Sequence, residues 1–320
     1  AMPPPICPAP ITPMVRISLA FMSAPLPLRP RACKPAAAMR RFFALGLSVG
    51  LTLGCAPSEP QTAQRARMLA HKGQEAEAIE LLRKHLARHP GDIEERRLLI
   101  RIIALTGDLG AAERETTLLA ERLGPGDPTP WIEMGHAFEL SHRYEDALAM
   151  YDRASEVAPK NALGPRTGGQ RAAAWGEVEL AEPRLAEALR RDSADARSWH
   201  TLGLVRLRLK DYDGAKTAYR SGLTADPAAL ENRVGLATVA LAEGDAAAAL
   251  EQYDALCRAR PKVGDLELGR AYALLVLRRL DEAERALERA EALGASAQVI
   301  RAQRRLLEKL RRAREPQGIR

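Results

Sequence analysis

The sequence predicts an all-α fold in which helical hairpins stack in a row, and three observations carry that prediction. The first is composition. Only 4% of the 320 residues are aromatic, 46% are hydrophobic, and Ala, Leu, Arg and Glu dominate, which favours helices packed through small side chains over aromatic-rich strands. The second is a period: Ala78, Ala112, Ala147, Ala181, Ala215, Ala249 and Ala283 follow one another in steps of 34 residues, with a single step of 35. The third is punctuation at the same interval. A turn residue recurs as Gly73, Gly107, Gly176 and Gly244, with His142, Lys210 and Arg278 in the other three places. Pro90, Pro159, Pro227 and Pro261 recur after the second helix of four hairpins, where the ring and its missing N–H stop a helix.

Taken from the start of the chain, residues 1–38 hold ten of the 22 prolines and read as neither helix nor strand. Ala1 is not an initiator residue, so Met39 is read as the true start and 1–38 as an untranslated or disordered segment. From Met39 come Arg40 and Arg41, an apolar run from Phe42 to Leu53, and Gly54 before Cys55. Positive charge, a short apolar run and a small residue at a cleavage point are the parts of a secretory signal, and the run is too short for a bilayer, which needs ~20 residues. The segment resembles a bacterial lipoprotein signal peptide over 39–54, with Thr52 where Leu is commoner. The resemblance implies that Cys55 is lipidated and becomes the first residue, and that Ala56 after it directs the protein to the outer membrane, facing the periplasm. Two or three acyl chains, at ~0.8 kcal/mol per buried methylene, would hold it there. An ordinary secretory signal, or a helix of a cytoplasmic protein, is the alternative. The tether, 55–61, reaches at most ~25 Å, which would keep the first hairpin against the membrane.

The body is a repeat. Trp131, Met134, Gly135, Phe138, Ala147, Tyr151, Ala154 and Pro159 match the pattern W-x2-L-G-x2-Y, A-x3-F, P, and Trp199, Leu202, Gly203, Ala215, Tyr219 and Pro227 match it again 68 residues later. On these residues the chain resembles seven tandem tetratricopeptide (TPR) repeats, at 59–92, 93–127, 128–161, 162–195, 196–229, 230–263 and 264–297. The fold this implies is an α–α superhelix, a solenoid of about seven hairpins whose stability comes from stacking neighbours. In the fourth repeat Pro165, Gly168, Gly169 and Pro183 break the pattern and predict a local kink, read either as a hinge or as an eroded repeat held by its neighbours. Residues 298–320 close the array. Val299, Ile300, Leu306, Leu307 and Leu310 share a helical stripe, which predicts a capping helix followed by a basic tail.

Charge and cysteines narrow the function. The formal charge is +7, yet 55–300 carry 34 basic and 39 acidic residues, so no nucleic-acid partner is expected of the body; the tail could grip an anionic lipid or nucleic acid only by itself. Once Cys7 and Cys33 leave with the leader and Cys55 takes lipid, Cys257 has no disulfide partner and is expected to fill a core position. Catalysis, metal, cofactor and small-molecule substrate are not expected. Gly168-Gly169 lacks the lysine of a phosphate loop, His85 and His89 have no carboxylate or cysteine close in pattern to complete a ligand set, and Ser193 with His200 has no oxyanion context.

The TPR resemblance implies a protein or peptide partner lying in the groove lined by the first helices. The inward positions are Arg67, Arg97, Arg101, His136, Glu139, Arg166, Gln170, Arg197, His200, Leu204, Thr238, Leu241, Leu268 and Tyr272, basic and polar at one end and more apolar at the other. They are read either as a groove for a segment with acidic groups and an apolar anchor, or as a solvated face of ordinary helix pairs. The asparagines of carboxylate-clamp arrays are replaced by Gln64, Leu98, Glu133, Thr167, Thr201, Gly235 and Gly269, so a chaperone-tail clamp is disfavoured. By layout, the chain is similar to lipoproteins of envelope assembly, in pilus secretin formation, polysaccharide export or outer-membrane biogenesis. A cytosolic adaptor without the anchor is the alternative.

Overall fold

The computed structural model describes residues 60–314, which form fifteen α-helices with no strand among them. The first three hairpins are α1 (Pro60–His71) with α2 (Glu75–Arg88), α3 (Ile93–Leu105) with α4 (Leu109–Leu123), and α5 (Thr129–Leu140) with α6 (Tyr144–Val157). Next come α7 (Leu163–Trp175) with α8 (Val178–Arg191), and α9 (Ala196–Arg208) with α10 (Tyr212–Ala225). The array ends with α11 (Leu230–Glu243) and α12 (Ala246–Ala259), α13 (Gly264–Val276) and α14 (Leu280–Ala292), and the single helix α15 (Ala297–Arg314). None of these helices is long and apolar enough to cross a membrane. The segment 1–38, the signal 39–54, Cys55 and the last six residues lie outside the described residues.

Each hairpin turns on one left-handed residue. Gly73, Gly107, Gly176 and Gly244 have φ between 73° and 94°, and His142, Lys210 and Arg278 take the same conformation at 58°, 63° and 58°. The position therefore dictates the backbone and glycine only makes it easy. The residue after the turn donates its N–H back five positions, as from Arg143 to Phe138 O (2.9 Å), Asp211 to Arg206 O (2.9 Å) and Asp245 to Ala240 O (2.9 Å), satisfying carbonyls the helix end leaves open. In three hairpins that residue is Asp108, Asp211 or Asp245, whose carboxylate accepts an N–H of the next helix at 2.9 Å.

Packing explains the period. All seven alanines of the series are fully buried, as are Tyr151, Tyr219 and Tyr253 on the second helices. The Tyr219 ring lies between Gly203 of its own repeat and Gly235 of the next, and a methyl at either place would overlap the ring; Gly269 stands to Tyr253 as Gly235 does to Tyr219. A glycine facing a tyrosine one helix away thus fixes helix spacing both within and between repeats.

The fourth repeat is tightly packed and its helices run unbroken, so its glycines are not marks of erosion. Pro165 lies in the first turn of α7, where its missing N–H has no intrahelical role, and the first bond comes after it, from Arg166 N to Ala162 O at 2.9 Å. A methyl on Gly164 would lie 2.5 Å from the backbone N of Ser155, and one on Gly169 2.9 Å from that of Leu185. The glycines let α7 approach α6 and α8 backbone to backbone. Pro183 sits within α8 on its exposed side.

Successive first helices pack on one another, weakly between α5 and α7, while successive second helices scarcely meet. The stack is closer-set on the first-helix side, and that side is concave. At the end, α15 takes the place of an eighth first helix: Ile300 and Leu307 are buried and Val299, Leu306 and Leu310 pack on the same core. Cys257 also packs against this core, half-buried, and burial together with nearby Glu267 pushes its thiol up to about 12. It is an inert side chain at neutral pH.

Candidate functional site

The concave face is built by the inward sides of α1, α3, α5, α7, α9, α11 and α13. Its basic half is organised around carboxylates. Glu133 on α5 is fully buried, yet it accepts from Arg97 Nε at 2.8 Å and from Arg101 Nε and Nη2 at 2.5 and 2.8 Å, both on α3. Desolvation pushes the Glu133 carboxyl upward, but the two guanidinium groups, with the His136 ring nearby, overcome it and hold the pKa at about 2. His136 Nδ1 itself is 3.8 Å from the carboxylate, beyond hydrogen-bond reach. Glu139 likewise accepts from Arg171 and from the Tyr151 hydroxyl, both at 2.7 Å.

Further along, Arg166 holds Asp192 at 2.5 Å and Asp195 at 2.9 Å, and Gln170 Nε2 reaches Ser198 Oγ at 3.4 Å. Arg97, Arg101 and Arg171 are thus staples across repeats, with partners about one period away: 36 residues for Arg97–Glu133 and 32 for Arg171–Glu139, while Arg166 pairs at the far end of its own repeat. They are not free cations awaiting an acidic ligand, and of them Arg97 alone also makes a pair within its own helix, to Glu94 at 2.5 Å. Among the described residues Arg67 and Arg197 alone of the predicted basic positions make no ion pair, and both are exposed.

The apolar half differs from expectation. Thr238, Leu241 and Leu268 are buried. Thr238 Oγ1 bonds Val234 O at 2.9 Å and meets the Tyr253 hydroxyl at 3.2 Å, while α15 covers Leu268, whose carbonyl accepts from Gln303 Nε2 at 3.2 Å. Leu204 and Tyr272 remain partly exposed. His200 keeps an edge at the surface, but its Nδ1 is buried without a protein partner and burial pushes its pKa down to about 4, so the ring is neutral.

The mapping missed the rim of this face. Leu105, Leu140 and Val276 occupy the same place in their repeats, the end of the first helix, and are 51%, 43% and 45% exposed. The exposed Tyr144 stacks near Trp175, ring centroids 4.7 Å apart, beside Leu140 in the chain. The signal was in the sequence as an apolar residue recurring where the hairpin turn needs none. The structure also corrects the reading of His85: Asp92 and Glu95 come close to it, although His89 does not complete the set.

A family model described as tetratricopeptide repeat matches residues 234–298, and a second of the same description matches 196–228. The chain carries tetratricopeptide repeats. The TPR fold extends through the described residues: the C-terminal part of a TPR repeat-containing protein from Cytophaga hutchinsonii superposes with a TM-score of 0.54 at 17% identity, over 74% of this chain and 98% of that one. A chain of the APC/C Cut9–Hcn1 hetero-tetramer does so with a TM-score of 0.50 at 14% identity, over 79% of this chain and 49% of that one. In sequence, 113 residues are 31% identical to the heat-shock protein cognate co-chaperone sgt12 of Aspergillus fumigatus. That match takes in a third of either protein, so the chain spans about a third of the length of this curated relative. TPR arrays are scaffolds for protein–protein interaction.

Proposed function

We propose that this chain is a non-catalytic, membrane-anchored TPR scaffold that holds a partner segment along its first-helix face in bacterial envelope assembly. The observation that carries the binding reading is the concave face itself: its rim exposes Leu105, Leu140 and Val276, and its floor exposes the unpaired Arg67 and Arg197. Apolar footholds at one position of the second, third and seventh repeats, with two separated cations, suit an extended segment that buries a few apolar side chains and carries scattered acids. The other arginines are already neutralised by Glu133, Glu139, Asp192 and Asp195, so a strongly acidic ligand is not required.

The anchor rests on Met39–Cys55. Lipid on Cys55 would place the protein at the outer membrane facing the periplasm, in company with pilus secretin, polysaccharide-export or outer-membrane biogenesis machinery. Mass spectrometry of the membrane-extracted protein tests it: an acylated N-terminal Cys55 supports the anchor, and an intact Met39 N-terminus refutes it in favour of a cytosolic adaptor. For binding, Leu140→Asp and Arg197→Glu should each remove the proteins that co-purify with the wild type, while Glu251→Lys on the opposite, second-helix side leaves them. Equal loss in all three, or in none, refutes the groove.

A further inference from the structure

We propose that His85, Asp92 and Glu95 form a site for one divalent transition cation of the zinc type, which ties the first repeat to the second. His85 stands in the last turn of α2. The chain turns through Pro90 and Gly91, Asp92 occupies the residue before α3, and Glu95 lies in its first turn. The backward turn therefore brings three ligand-bearing side chains to one place.

Geometry and electrostatics agree. One nitrogen or oxygen from each residue lies within 4.8 Å of the other two. An ion bound tetrahedrally at about 2.0–2.2 Å from each ligand holds them about 3.3–3.6 Å apart, so the widest pair would close by up to about 1.5 Å through side-chain rotation. His85 Nε2 and Asp92 Oδ2, hydrogen-bonded at 2.6 Å, would open by roughly 0.7–1 Å to admit the ion between them. Glu95 is only 8% exposed, and among the described residues it makes no hydrogen bond and no ion pair. Its neighbour Arg96 does not neutralise it, being held at 2.6 Å by Glu115. One of its carboxylate oxygens lies within reach of the two further ligands, and no cation among the described residues pairs with it. Asp92 adds to the case: it sits at the N-cap of α3 yet makes no capping bond, whereas Asp108, Asp211 and Asp245 all do.

The donor set selects the ion. One imidazole nitrogen with two carboxylate oxygens suits zinc and its first-row neighbours, with solvent in the remaining position. Calcium and magnesium favour all-oxygen shells, and copper(I) favours sulfur. His89 stacks on His85 with ring centroids 4.8 Å apart and planes tilted by 30°, lies outside the ligand set and serves as the control.

The test uses the full chain without a histidine tag, freed of metal with a chelator and titrated with zinc chloride. One equivalent should bind and raise the melting temperature, magnesium chloride should do neither, and hydrogen exchange should slow around residues 85–95. Glu95→Gln and Asp92→Asn should weaken zinc binding by at least about 100-fold, beyond the effect of outer-shell changes, and His89→Ala should leave it unchanged. No zinc-dependent rise in the wild type would overturn the site. Binding that survives Glu95→Gln but vanishes with His89→Ala would also overturn it, by showing a surface histidine pair. Should a variant fail to fold, the wild-type exchange pattern decides: slowing away from 85–95, or none, counts against the proposal.

Discussion

Three tyrosines occupy the same place on three second helices, and each hydroxyl meets a different fate. Removing the hydroxyls one at a time therefore separates hydrogen bonding from packing on one scaffold. Tyr151 donates to Glu139 at 2.7 Å, a bond to a charged group worth about 1.5–3 kcal/mol. Glu139 keeps Arg171 when the phenol is gone, so Tyr151→Phe should cost near the lower end, about 1.5–2 kcal/mol. Tyr253 meets Thr238 Oγ1 at 3.2 Å, and that hydroxyl keeps its bond to Val234 O, so Tyr253→Phe should cost about 0.5–1 kcal/mol. The Tyr219 hydroxyl is buried without a protein partner. An unsatisfied buried hydroxyl costs about 1–3 kcal/mol, and Tyr219→Phe should be neutral or stabilising by about 1 kcal/mol. Urea denaturation followed by far-UV circular dichroism reads the order from midpoints at unchanged slope. Destabilisation of Tyr219→Phe by as much as Tyr151→Phe would refute this assignment of the three hydroxyls.

Other expectations follow from the same contacts. Replacing His142, Lys210 or Arg278 by Gly relieves a left-handed residue and should raise stability by up to about 1 kcal/mol each, seen as a higher melting temperature; a fall would contradict the turn geometry. Glu133→Ala removes the buried carboxylate that joins α3 to α5 and should cost about 3 kcal/mol, measured by the same denaturation; a loss under 1 kcal/mol would mean that solvent replaces the pair. Acid should act in two stages. The neutral His200, whose pKa falls from 6.5 to about 4 on folding, binds fewer protons than in the unfolded chain, so its share of stability is full above pH 6.5 and is lost as pH falls toward 4. Glu133, lowered from 4.5 to about 2, contributes fully above pH 4.5 and loses that share on the way to pH 2. His200→Gln should flatten the first stage of a stability–pH curve and leave the second.

The parts of the fold that follow from local rules could be read in the sequence. The alanines are buried because two helices must touch there, and one residue type announces that need. The hairpin turns were legible even where His142, Lys210 and Arg278 replace glycine, because position in the period identifies them. The glycines of the fourth repeat misled, since their cost to an isolated helix is visible in the sequence but the backbones of Ser155 and Leu185 that require them are not. The groove was legible only as a face. Whether Arg97 and Arg101 point to a ligand or to Glu133 depends on the pitch between repeats, and Leu268 is lost to the groove because α15 covers it. The approach of Asp92 and Glu95 to His85 depends on how tightly the chain folds back at Gly91.

The central claim, that the first-helix face receives the partner, is tested most directly by a photo-cross-linking residue placed in cells at Leu140, at Leu204 and, on the opposite side, at Glu251. Leu140 and Leu204 should capture the same protein and Glu251 should not. Capture at Glu251 with none at the other two would contradict the claim.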